Sequence, residues 1–410
     1  MIDARSVIET TDWAGLHHAF GEASDAPEAL LALLSGDPES CGATLGYLDA
    51  AVLHQGSIYP VTAPAALFVA GVLGDERTLI LCESDLPWDD RERPLRAALL
   101  EWLGSVAESA AEWDDDEDDA GEEGDAEEED DEDDEDDEEE EGDEEEEGDE
   151  EEEGDAGEEG DEDDEARSAV ACQAIRHDLY AAVLPFLDDA DDAVRRAAVG
   201  AMGQLMLAPE LAEFRGEQAR RMQRLAHHPT SATAADRAAA ALTLGNWGIA
   251  PQAFLADPDP SVRAAAALAP ALDPDPRALA EIRRALADPA TADDWFTEHL
   301  PQLDGKLRFG LVKALLRRTR DFEEILPEAL GVAQMTNTYT VDADWGPLLK
   351  RAFPERHTPG RPLTAVQRRF LSAIVDNDEC WSGVANPLLW FRDAGLPYNR
   401  ESLRTLVSAT

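Results

Sequence analysis

Between Asp114 and Glu165, 42 of the 52 residues are Asp or Glu, none is basic, and no aliphatic residue is larger than alanine. Charges of one sign at that density repel, and with nothing apolar to bury the stretch does not recover the entropy of ordering. It is therefore read as a disordered Asp/Glu-rich segment, 114–165, that separates an N-terminal part, 1–113, from a longer C-terminal part. Its Gly-Asp and Gly-Glu interruptions argue against one rigid helix. The 410 residues include 92 acidic and 33 basic side chains, a formal charge of -59. The flanks differ: 1–113 holds 19 acidic and 5 basic groups, whereas 166–410 holds 31 and 28. Nucleic acid is thus an unlikely partner, because a duplex repels such a chain unless its positive charge is segregated.

Helical periodicity dominates what remains. Val194, Ala197, Ala198, Ala201, Met202 and Leu205 fall on one helix face. Leu279, Ile282 and Leu286 repeat the pattern behind Asp275-Pro276, as do Leu307, Leu311 and Leu315. So do Leu363, Val366, Phe370 and Ile374, with Thr364 or its neighbour as the helix start. In the first part, helices are expected over Pro27 to Leu34, Cys41 to Leu53, Pro64 to Leu73 and Pro94 to Val106. The helix ending near Glu112 and the one beginning near Arg167 are expected to be neighbours; the alternative is two domains on an acidic linker. The best strand-like run, Thr78 to Cys82, reads equally well as helix. Asp and Pro mark the turns every 12 to 20 residues, so short helices should pack antiparallel and stack in pairs.

Two turns match closely. Asp189-Ala190-Asp191-Asp192-Ala193-Val194-Arg195 corresponds to Asp257-Pro258-Asp259-Pro260-Ser261-Val262-Arg263, and alanines follow both. This Asp-x-Asp-x-x-Val-Arg spacing resembles the HEAT repeat family, including its bacterial lyase-type repeats. The resemblance implies an all-α fold, an α-solenoid of helical hairpins: degenerate over 1–113, repeats over 166–340, and a cap over 341–410. It implies structural roles for Asp189, Val194, Arg195, Asp257, Val262 and Arg263, with the valines in the core and each Asp–Arg pair tying a turn to the next helix. Arg237-Ala238-Ala239-Ala240 lacks the Asp-x-Asp turn, and Asp293-Asp294 stands where Val-Arg is expected. The aromatic-rich tail resembles that of actinobacterial HEAT-repeat proteins. Trp381, Trp390 and Tyr398 there read either as part of the cap or as a partner surface.

Chemistry is sparse. No catalytic residue, metal ligand or cofactor site is assigned. The four cysteines form no C-x-x-C pair, and the eight histidines include no i, i+4 pair. No secretory signal and no apolar run of membrane-spanning length are visible, so a cytoplasmic protein without membrane contact is expected. Arg220, Arg221 and Arg224, with Arg317 and Arg318, form candidate basic patches that the acidic segment would occlude by folding back. The expected function is a non-catalytic protein–protein scaffold or adaptor. Its acidic loop would tune solubility, bind a basic partner or hold cations weakly. The alternatives are an immunity-type inhibitor of a basic toxin, a HEAT-like nucleic-acid binder autoinhibited by the acidic loop, and a bilin lyase-like enzyme.

Overall fold

The computed structural model describes residues 2–83, 92–119, 158–227, 232–297, 300–381 and 386–409. They are mostly helical and form two compact units, Met1–Val183 and Leu184–Thr410.

The first unit comprises α1 (Ala4–Thr10), α2 (Ala26–Ala32), α3 (Pro38–Tyr47), α4 (Thr62–Val72), α5 (Leu95–Asp119), α6 (Glu158–Ala174) and α7 (Arg176–Val183). Helix α4 is apolar around most of its circumference, which suits a central position. It packs against α1, α5, α6 and α7, burying Ala65, Ala66, Phe68 and Val69. Gly71 lets α1 lie close, since a Cβ there would sit 3.0 Å from that of Ala4. Helices α5 and α6, which flank the acidic segment, pack on each other. The buried Arg176 and the side chain of Gln173 both donate to the Ala110 carbonyl, at 2.9 and 3.2 Å. The ends of the acidic run, 114–119 and 158–165, continue these two helices. The disordered insertion expected there otherwise lies outside the described residues.

Two antiparallel strand pairs complete this unit: β1 (His17–His18) with β2 (Gly21–Glu22), and β3 (Leu81–Cys82) with β4 (Arg93–Pro94). The ambiguous run from Thr78 thus resolves into the end of a 3-10 turn and a short strand. The buried Thr78 hydroxyl bonds the Asp75 carbonyl at 2.7 Å, which closes that turn.

The second unit begins with α8 (Asp192–Leu205), α9 (Ala212–Leu225), α10 (Ala234–Asn246), α11 (Pro260–Ala267), α12 (Pro276–Leu286), α13 (Pro289–Asp293) and α14 (Leu307–Arg318). It continues with α15 (Phe322–Ala333), α16 (Trp345–Ala352), α17 (Ala365–Asp376), α18 (Asn386–Asp393) and α19 (Arg400–Ser408). Helices α8, α10, α11, α12 and α14 pack in succession, while α9 lies on α10. Alanine permits this closeness: Ala238 to Ala241 and Ala264 to Ala267 are all buried. Short 3-10 turns, Leu184–Asp188 and Gln252–Ala256, stand before α8 and α11. Pro185 in the first turn, and Pro251 just before the second, disfavour a continued α-helix.

The punctuating aspartates are helix caps. Asp37, Asp259, Asp275 and Asp288 each precede a proline and accept a backbone N–H of the first turn. Thr364 caps α17 in a reciprocal capping box with Gln367. At the C-terminus, Gly395 turns with a φ of +71° between α18 and α19, and Asn399 caps the final helix.

Candidate functional site

Asp191, Thr233 and Asp259 cap α8, α10 and α11, and four residues beyond each cap stands an arginine: Arg195, Arg237 and Arg263. Each reaches back to the turn that precedes its own helix. Arg195 Nη1 donates to the Asp189 carbonyl, Arg237 Nη1 to that of Ala232, and Arg263 Nη1 to that of Asp257, all at 2.8 Å. Each also reaches forward to an acid farther along the chain. Arg195 Nη2 meets Asp236 at 2.7 Å, Arg237 grips both Asp257 oxygens at 2.8 and 3.0 Å, and Arg263 Nε meets Glu281 at 3.1 Å. One residue earlier, Val194 and Val262 are fully buried.

The structure gives the pairing at these turns a direction. Arg263 takes the main-chain oxygen of Asp257, while the carboxylate of Asp257 serves Arg237 of the preceding helix. Arg237, set aside in the sequence for want of an Asp-x-Asp turn, holds the same place as Arg195 and Arg263. Its signal was the distance from the cap. Hydrogen bonding to Asp257 raises the Arg237 pKa against the opposing effect of burial. At Arg195, burial works against the charge, yet bonds to Asp236 and Asp192 hold the pKa above its ordinary value.

Between α8, α9 and α10 the relay borders a cleft of about 430 Å³. Its apolar wall is made by Leu187, Val199, Met222, Leu225 and Ala239. Arg195 and Arg196 line it from α8, Arg221 and Arg224 from α9, and Asp236 from α10. Asp236 is only 4% exposed; its Oδ2 takes Arg195, while its Oδ1 lies 3.7 Å from Arg196 Nη1 and has no hydrogen-bond partner. A buried acceptor left so costs about 1–3 kcal/mol. At the rim, Arg221 pairs with Asp188, whose side chain is 83% exposed. Arg224 is exposed and makes no ion pair among the described residues.

The candidate basic patches thus divide. Arg221 and Arg224 face the cleft beside Asp189 and Arg195, whereas Arg220 is exposed on α9 and does not line it. The Arg317–Arg318 patch is not a free surface. Arg318 is 1% exposed at its side chain and donates to the Ala267 and Ala269 carbonyls at 2.8 and 3.1 Å. Arg317 donates to the Leu268 carbonyl at 2.8 Å and pairs with Asp273. Both tie α14 back to the end of α11, and burial lowers the Arg318 pKa.

The C-terminal aromatics are drawn into one another. Trp381 stacks on Phe391 and on Tyr398, with centroids 5.6 and 6.4 Å apart, and its Nε1 donates to the Ile374 carbonyl at 3.0 Å. Trp390 lies over Gly346 and donates to Asp342 at 2.6 Å. All three rings are half-buried, so each keeps an outer edge.

All four cysteines are buried, and burial pushes the thiols of Cys172 and Cys380 up to about 12, far from a reactive thiolate. Among the described residues no three His, Cys, Asp or Glu side chains are gathered to hold a metal, and no helix is long and apolar enough to cross a membrane. The acidic residues considered for weak cation binding or for a basic partner fall largely outside the described residues. Comparisons with family models, with curated proteins and with solved structures find no match to this chain.

Proposed function

We propose that residues 184–340 form a short HEAT-like array and that the protein is a non-catalytic adaptor that holds a partner protein on its helical surface. The observation that carries this reading is the relay of Arg195, Arg237 and Arg263. Three helices, α8, α10 and α11, keep the same cap-plus-four arginine, the same backward bond to a turn and the same forward bond to an acid. Such repetition supports an array built from one unit, and arrays of this kind serve recognition by presenting an extended, rigid face. The half-buried aromatics at the far end support a sealing role for residues 341–410, because an array must cover its last apolar face.

The test is capture from native extract on immobilised full-length protein and on a form lacking 114–165, both eluted with a salt gradient. One partner retained stoichiometrically on both forms supports recognition by the helical surface. Basic partners lost with the deletion, early in the gradient, move the adaptor role to the acidic segment. A chain that holds no stoichiometric partner in either form overturns the adaptor reading.

A further inference from the structure

We infer that the cleft between α8, α9 and α10 is the receptor site for a short segment of the partner polypeptide, an apolar residue flanked by carboxylates. The inference rests on the adaptor reading and assigns it a location. Three features of the cleft select this ligand. Its wall, Met222 and Leu225 against Val199 and Leu187, is apolar and takes a medium-sized side chain. Its rim carries Arg221 and Arg224, one helical turn apart on α9 and facing the same cavity. Arg224 has no ion-pair partner among the described residues. Among the described residues Arg221 pairs with a largely exposed Asp188, a screened contact that an incoming carboxylate displaces easily. Deeper in, the cleft is closed by the buried Asp236, whose Oδ1 faces Arg196 Nη1 at 3.7 Å, so an occupant meets the apolar wall and the rim rather than a buried charge.

The two arginines of α8 are not part of the receptor: Arg196 is buried, with its Nη1 3.7 Å from Asp236. Arg195 is held by the Asp189 carbonyl and by Asp192 and Asp236. Arg221 and Arg224 thus supply the cationic groups that a ligand reaches, beside Asp188 and Asp189, on a chain whose overall charge is -59. A long polyanion is repelled by the rest of the molecule, so the site selects a short segment that combines charge with an apolar residue.

Met222 supplies the probe. The chain has five methionines, so a sample labelled at the methionine methyl carbons gives few resonances, one of them from the cleft wall. The full chain is titrated with acetyl-Asp-Leu-Phe-Asp-amide, with its Asn-Leu-Phe-Asn counterpart, and with acetyl-Asp-Ser-Gly-Asp-amide. The expected result is a saturable shift of the Met222 methyl with the first peptide only. In Arg221→Ala/Arg224→Ala its affinity falls about tenfold or more, as for loss of a charge-assisted contact. Unmoved Met202 and Met206 methyls show that the variant is folded. No saturable Met222 shift, equal binding of the Asn peptide, or full affinity in the double variant overturns the assignment. Should the variant still hold the partner captured from extract, the cleft assignment falls and the adaptor reading stands. Absence of any stoichiometric partner removes the adaptor reading independently of the titration.

Discussion

Arg237 and Asp257 are joined by two hydrogen bonds and are almost wholly buried, their side chains 6% and 1% exposed. Removing one partner of such a pair leaves a charge in a poorly solvated place, and Asp257→Ala should cost about 3–5 kcal/mol. Replacing both, as Arg237→Met with Asp257→Leu, should recover most of that loss, because two apolar chains of similar volume need no pairing. Urea unfolding of the three proteins checks both expectations. Asp75 makes the opposite kind of contact, at the surface. Hydrogen bonds from the Arg77 side chain and backbone lower its pKa to about 2. A carboxyl whose folded pKa is depressed stabilises the fold above its unfolded value of about 4 and loses that contribution as pH falls. Asp75→Asn should therefore flatten the stability curve between about pH 4 and 2, while leaving its slope near neutrality unchanged. A titration of stability against pH in both proteins reads this directly.

At the scale of elements, α16 and α18 are fitted through Gly346. A Cβ there would stand 2.6 Å from two ring carbons of Trp390 and 2.6 Å from the Val341 carbonyl. Gly346→Ala should displace the indole, break its bond to Asp342 and cost about 1–3 kcal/mol. A shift in tryptophan emission together with a lowered melting temperature is the expected readout. Helix ends were largely legible in the sequence, because an Asp followed by Pro both caps a helix and pre-sets its first dihedral. Asp275-Pro276 and Thr364 show this. The 3-10 turns before α8 and α11 were not legible, since Leu184 to Leu187 and Phe254 with Leu255 carry ordinary helical hydrophobicity. The role of Arg237 was hidden because the motif was sought in the turn, whereas the geometry depends on distance from the cap. The cleft was legible in part. Arg221 and Arg224 stood out by charge, and helical spacing puts Leu225 near them, but nothing local says that this face of α9 borders a cleft, since that depends on how α9 rests on α10.

At the scale of the molecule, α5 and α6 meet although 38 residues, 120–157, separate their described ends. Closing a flexible loop costs only about 0.6 kcal/mol per doubling of its length. Replacing 120–157 by a short Gly/Ser linker that still lets α5 and α6 meet should therefore shift the melting temperature of the chain by only about a few degrees. Calorimetry of the shortened protein checks this. Loss of its cooperative transition would show that the acidic run contributes to the fold.

The bonds of Arg195, Arg237 and Arg263 all point the same way along the chain. In each case the donor precedes its acceptor in the chain, so the series has polarity, like a head-to-tail polymer. Residues 233–258 carry a complete bond of their own, Arg237 with Asp257, whereas Arg195 finds its acid only beyond the next cap, on α10. A cut between Arg195 and Asp236 therefore strands a donor on one side and an acceptor on the other, whereas a cut just after Pro258 leaves the Arg237–Asp257 bond intact.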